Sequence, residues 1–162
     1  GSETESIHRV ATRPQEFRLF INAPAELQSI FMSLLAVVNK GCADKIANVN
    51  IEAIAFFADH QDSYKTLEKI DSKADKLEFG VLINQIIDAL LTKLADTNTN
   101  LQSKAAEALV KSSFYALVGP VIQIERILSK RDIKGNITKE SKSHKHLAGR
   151  LQLLASLINQ HK

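Results

Sequence analysis

The chain has 162 residues, 44% of them hydrophobic and 24% charged, with only 6 Gly, 3 Pro and no Trp. That is one domain's worth of chain, able to bury about 70% of the surface it exposes when unfolded, and the balance excludes disordered and collagen-like architectures. Net charge is +3, no apolar run approaches the roughly 20 residues of a membrane span, and Cys42, the single cysteine, has no partner for an internal disulfide, which fits a reducing compartment.

Gly1-Ser2 reads as the remnant of a cleaved purification tag, with 3–22 an N-terminal extension and 23–162 the folded domain. Behind Asn22-Ala23-Pro24, a helix-starting sequence, the set Leu27, Ile30, Phe31, Leu34, Leu35 and Val38 recurs at three- and four-residue spacing and predicts a first amphipathic helix. A polar turn at Asp44–Asn48 separates it from a shorter set, Ile51, Ile54, Ala55 and Ala58, with Asn48 or Asn50 as the expected N-cap. From His60 to Lys76 the chain turns polar and reads as a connector, although Tyr64, Leu67 and Ile70 keep helical spacing.

The strongest periodicity follows: Phe79, Leu82, Ile83, Ile86, Ile87, Leu90, Leu91 and Leu94 form a wide apolar face over more than four turns. It stops at Asp96-Thr97-Asn98-Thr99-Asn100, side chains that favour turns and caps over helix interiors. Leu101, Ala105, Ala108 and Leu109 then predict a helix whose alanines let a neighbour approach closely. Gly119-Pro120 opens the next, carried by Val121, Ile124, Ile127 and Leu128, and Leu147, Leu151, Leu154 and Ile158 make the last. Nothing shows the two-residue alternation of strands. The fold is expected to be all-α, in helix pairs starting near Ala25, Leu77 and Gly119, a period of roughly 40–50 residues that falls in the range of helical repeats.

The segment from Leu90 to Leu109 resembles a HEAT repeat: a Leu-rich helix ending at Asp96, an Asn-containing turn, then Leu101, Lys104, Ala105 and Ala108 in the second helix. Across about residues 26–160 the order of segments is similar to TOG domains, and among them to the TOG domain of the centrosomal and ciliary-tip protein family. The resemblance implies an α-solenoid of HEAT-like pairs that binds αβ-tubulin or microtubules through its intra-pair turns, in the cytoplasm and cytoskeleton, at a centrosome, basal body or cilium tip. In this chain those turns are Asp44–Asn50, Asp96–Asn100 and Arg131–Lys145. The implied contacts are Asn48 and Asn50 at the first, Thr97, Asn98 and Asn100 with Lys104 at the second, and Lys139, Lys142 and Lys145 at the third. The competing expectation is a HEAT-repeat scaffold that docks a different protein, or itself, through a groove.

Charge is uneven. Residues 1–80 hold 9 basic and 12 acidic side chains, and residues 81–162 hold 12 and 6. Arg126, Lys130, Arg131, Lys134, Lys139, Lys142, Lys145 and Arg150 face only Asp132 and Glu140 between positions 126 and 150. Such a segment fits either an edge that draws in an acidic protein surface or a solvated lysine-rich loop. Nucleic acid is disfavoured because no aromatics interleave the cations, and a membrane because the segment carries no bulky apolar face of its own.

The remaining motifs read as structural. His144 and His146 point to different sides of a helix, which disfavours shared metal coordination. Cys42 has no nearby group to lower its pKa and fills space beside the first turn, Asn136-Ile137-Thr138 matches a glycosylation acceptor by chance, and Phe56, Phe57, Phe79 and Phe114 go to helix packing. Phosphate-loop, nucleophile-elbow, zincin and dinucleotide-binding motifs are all missing. No enzyme activity, cofactor or metal is expected.

Overall fold

The computed structural model describes residues 25–60, 73–114, 119–129 and 144–162. Among these residues the chain is all-α, with six helices and no strand: α1 Ala25–Cys42, α2 Ala47–Asp59, α3 Lys73–Lys93, α4 Thr99–Ser112, α5 Pro120–Leu128 and α6 His144–Gln160. None of them is long and apolar enough to cross a membrane.

Helices pack within pairs, α1 on α2, α3 on α4 and α5 on α6, and between pairs by rank. The first members touch in the order α1, α3, α5 and the second members in the order α2, α4, α6. Two layers result, one of odd and one of even helices. Their shared core follows from the sequence period: α3, with neighbours on three sides, buries Phe79, Ile83, Ile86, Ile87, Leu90 and Leu91. That breadth is why its apolar face spans so much of its circumference. In the other layer, α4 buries Ala105 and Ala108 completely, so its backbone lies close to α2 and α6.

Polar links fix the stacking of the pairs. Asn39 of α1 donates to Gln85 Oε1 of α3 at 2.6 Å. Arg126 of α5 grips Asp88 of α3 through two parallel bonds, Nε to Oδ1 at 2.9 Å and Nη2 to Oδ2 at 2.5 Å, the geometry in which a guanidinium binds a carboxylate best. Gln123, buried, donates to Leu109 O at 2.6 Å and Ser112 Oγ at 2.9 Å and so ties α5 to α4. Arg150 of α6 reaches Ile127 O at 3.0 Å, satisfying a carbonyl that the end of α5 leaves open.

The observed helices depart from the sequence expectations in several places, among them the start of α4 at Thr99, inside the expected Asp96–Asn100 turn. Helix α2 begins at Ala47 with Ile46 as N-cap and no side-chain cap bond, instead of starting behind Asn48 or Asn50. The expected connector ends earlier, since α3 already begins at Lys73, and Tyr64, Leu67 and Ile70 lie outside the described residues. On α5 the inward face is Gln123 and Ile127, and Val121 and Leu128 are each 66% exposed. On α6 the buried residues are Leu153 and Leu157, while Leu147, Leu151 and Ile158 face outward.

The last departure has a local cause. Helix α6 carries two adjacent leucine stripes, and spacing alone does not say which turns inward. Gly149 decides it: an added Cβ there would stand 3.0 Å from Leu94 Cβ, so α6 meets the end of α3 on the one side where it has no side chain. That seating also brings Arg150 over the end of α5. Phe114, expected in the packing, is instead exposed at the end of α4 and stacks on His161 at 4.5 Å between ring centroids.

Candidate protein-binding edge

The first two intra-pair turns are built alike. In each, an aspartate two residues before the N-cap accepts from the backbone ahead: Asp44 Oδ1 takes Ile46 N–H at 2.8 Å, and Asp96 Oδ1 takes Asn98 N–H at 2.8 Å. In each, an amide six residues on reaches back to that aspartate's carbonyl, Asn50 Nδ2 to Asp44 O at 2.8 Å and Gln102 Nε2 to Asp96 O at 2.5 Å. Helices α2 and α4 start at Ala47 and Thr99, 52 positions apart, and the aspartate, the backbone N–H it accepts from and the amide clamp keep that offset, whereas a side-chain N-cap is present in the second turn alone. A short side-chain loop of this kind, Asx turn first and amide clamp second, replaces hydrogen bonds that the helix ends would otherwise leave to water.

The offset puts Asn48 and Asn100 at the same place, the second residue of the second helix, and both are exposed. Thr97 and Asn98 are exposed beside Asn100, and Asn98 serves as N-cap, its Oδ1 accepting from Asn100 N at 3.1 Å and Leu101 N at 3.2 Å. Lys104 is half-buried on α4, at the position that Glu52 occupies on α2. The edge therefore repeats its amides and inverts its charge from one turn to the next.

Asn50 is a correction. Expected at the contact surface, it is 1% exposed, and its Nδ2 also lies 2.9 Å from Gly41 O and 3.3 Å from Cys42 O. Its side chain holds the turn together from inside and has nothing to offer a partner. Of the third turn, Lys139 and Lys142 lie outside the described residues, and Lys145 is exposed in the first turn of α6. Two other cations of that basic segment, Arg126 and Arg150, are engaged within the fold, as described above.

The equivalence of the two turns escaped the sequence reading although its signal is there. Asp44, Asn48 and Asn50 stand against Asp96, Asn100 and Gln102 at identical spacing. The substitution of Gln for Asn at the last position and the dissimilar helix faces around it hide the match.

Cys42 is fully buried where α1 meets the first turn. Burial pushes its thiol up to about 12, against a weaker pull downward from the nearby Lys93. The thiolate is the reactive form, so labelling by a thiol reagent at pH 8 is expected to be at least 100-fold slower in the native protein than in urea. The raised pKa also sets a sign. The contribution to stability is whole below about pH 9, where the unfolded thiol keeps its proton, and is lost as pH climbs towards 12. Denaturation midpoints at pH 8 and pH 10.5, compared between the parent and Cys42→Ala, measure that loss.

Among the described residues no three His, Cys, Asp or Glu side chains gather where they could hold a metal ion. A separate open groove of about 380 Å³ runs between α4 and α6, lined by Ala106, Val110 and Phe114 with Glu107 and Lys111 on its rim. The chain matches no family model, no curated protein and no solved structure.

Proposed function

We propose that this chain is a recognition module, a solenoid of HEAT-like helix pairs that binds αβ-tubulin through the edge formed by its intra-pair turns. One observation carries the reading: the 52-residue repetition of the turn, which sets Asn48 and Asn100 in equivalent exposed places while Asn50 and Gln102 clamp the turns from behind. Rigid, regularly spaced turns presenting amides suit an extended partner surface, because little conformational entropy is lost when already ordered side chains bind. Lys104 and Lys145 add positive charge suited to an acidic partner, with Lys139 and Lys142 of the same basic segment. The reading assigns the chain no reaction. Cytoskeletal placement, at a centrosome, basal body or cilium tip, goes with the same proposal.

The test is gel filtration with light scattering of the purified chain mixed with unpolymerised αβ-tubulin, at low and high salt. A complex of one chain per tubulin dimer, weakened by salt and weakened at least tenfold by Asn48→Ala with Asn100→Ala, is the expected result. Charge reversal at Lys139, Lys142 and Lys145 is expected to lower affinity as well. Equal affinity of all these variants and the parent would overturn the turn edge as the contact. The second reading, a scaffold for a different protein, is favoured by the α4–α6 groove and the exposed Phe114 at its end. Such a contact would survive the turn substitutions and be lost in Phe114→Ala.

A further inference from the structure

The seam between the second and third helix pairs is built differently from the rest of the core. The first pair buries Leu35, Val38, Cys42, Ile54 and Phe57 to 5% exposure or less. From the third pair, among the described residues, Ile127, Leu153 and Leu157 alone belong to the buried core, with Ile122 and Ile124 partly buried against it. However these side chains divide between the interior of the third pair and its seam with the second, the seam receives little apolar area.

Polar groups do most of the joining instead. Arg126 Nε and Nη2 hold the Asp88 carboxylate, an ion pair whose side chains are 19% and 28% exposed and so within reach of screening by salt. Gln123 donates to Leu109 O and Ser112 Oγ, and Ser113 Oγ lies 2.7 Å from Nε2 of His161, just past α6. The open groove between α4 and α6 runs along this same seam, with Ala106 and Val110 on one side and Ser156 on the other. One buried atom gains from separation. Gln123 is 1% exposed, and its Oε1 accepts no hydrogen bond among the described residues. A buried acceptor left unpaired opposes the closed seam, because opening gives it water.

We infer that α5 and α6 open from α3 and α4 as one unit, held shut by the Arg126–Asp88 ion pair as a latch, while α1 to α4 stay folded. The two helices move together because Arg150 of α6 bonds Ile127 O and Ser129 O at the end of α5. The clamped turns at Asp44 and Asp96 belong to the part that stays, and Lys145 belongs to the part that moves. Opening therefore uncouples the charge of the third pair from the edge that the first two turns form, and it needs no partner.

Hydrogen exchange of the full chain, followed by mass spectrometry in urea below the unfolding transition, tests this. Amides in the middle of α5 and α6 are expected to exchange together, roughly 100-fold faster than those of Ile83 to Leu91 in α3 and with a weaker dependence on urea, since partial opening exposes less surface than unfolding. Amides in α1 and α2 should follow α3. Among the described helices the first pair also packs on one other pair, so it controls for position in the stack. Ile54→Val, in the part that stays folded, should speed exchange in α1 to α4 about fivefold and leave α5 and α6 as they were. Added salt should speed α5 and α6, and Arg126→Gln should speed them about tenfold and abolish that salt effect. Equal rates and urea dependence in all six helices, α5 and α6 exchanging apart from one another, α1 and α2 exchanging as fast as α5 and α6, or Ile54→Val speeding α5 and α6 as well would each overturn the opening. Arg126→Gln without effect on α5 and α6 would overturn the latch.

Discussion

Phe57→Ala is expected to destabilise the protein by about 3–5 kcal/mol and to lower the thermal midpoint by about 10 °C or more. The ring is 0% exposed and lies in the main core on α2, the helix that packs both on its pair partner α1 and on α4 of the next pair. Removing it opens a cavity at the junction of two pairs. The surrounding helices cannot close over it, because they are held elsewhere by near contacts: a Cβ on Gly41 of α1 would come 2.7 Å from Ala53 Cβ of α2. Differential scanning calorimetry reads the shift. A loss under 1 kcal/mol would mean that the α2–α4 junction is loosely packed and that each pair is stable largely on its own.

The second large effect separates an internal clamp from an exposed residue, the proposed contact, two positions away. Asn50→Asp keeps size and shape but turns the donor that faces Gly41, Cys42 and Asp44 carbonyls into a buried carboxylate oxygen. Like dipoles then oppose one another in a place water does not reach, at an expected cost of about 3–5 kcal/mol at pH 7. The defect should ease in acid, where the carboxyl takes up a proton and can donate again. Asn50→Ala, which only deletes the bonds, is expected to cost about 2 kcal/mol. Asn48→Ala should stay within about 0.5 kcal/mol of the parent while affecting tubulin affinity. Urea midpoints of the three variants decide it. Similar stabilities for the Asn48 and Asn50 variants would remove the basis for calling one residue scaffold and the other contact surface.

These two experiments also show why residue type alone misassigned Asn50. In sequence, Asn48 and Asn50 are two polar residues of a turn with equal claim to a partner. In the fold, the chain reverses between α1 and α2 and leaves three carbonyls pointing at one spot, and only the side chain at position 50 reaches them. The carbonyls come from residues six to nine positions away, beyond the reach of any local propensity. The same logic hid the match between Asn50 and Gln102, whose common task is the bond to the aspartate carbonyl six residues earlier.

What the amino-acid sequence determined by itself was the helical class, the pairing of helices and the faces that are buried on every side. Phe79 to Leu91 on α3 and Leu101 to Leu109 on α4 were legible because a helix enclosed by neighbours must be apolar wherever it is enclosed, and period alone reports that. The polar turn that follows α3 and Pro120 at the start of α5 were legible for a related reason, being local backbone requirements met by local residue types. Only the tertiary structure decided which of two leucine stripes on α6 turned inward, because the choice rests on Gly149 meeting Leu94 and Arg150 meeting the end of α5, contacts between residues far apart in the chain. The tertiary arrangement likewise set Val121 and Leu128 outward on a terminal helix. Burial there depends on having a neighbour, and a side chain's hydrophobicity does not say on which side the neighbour stands.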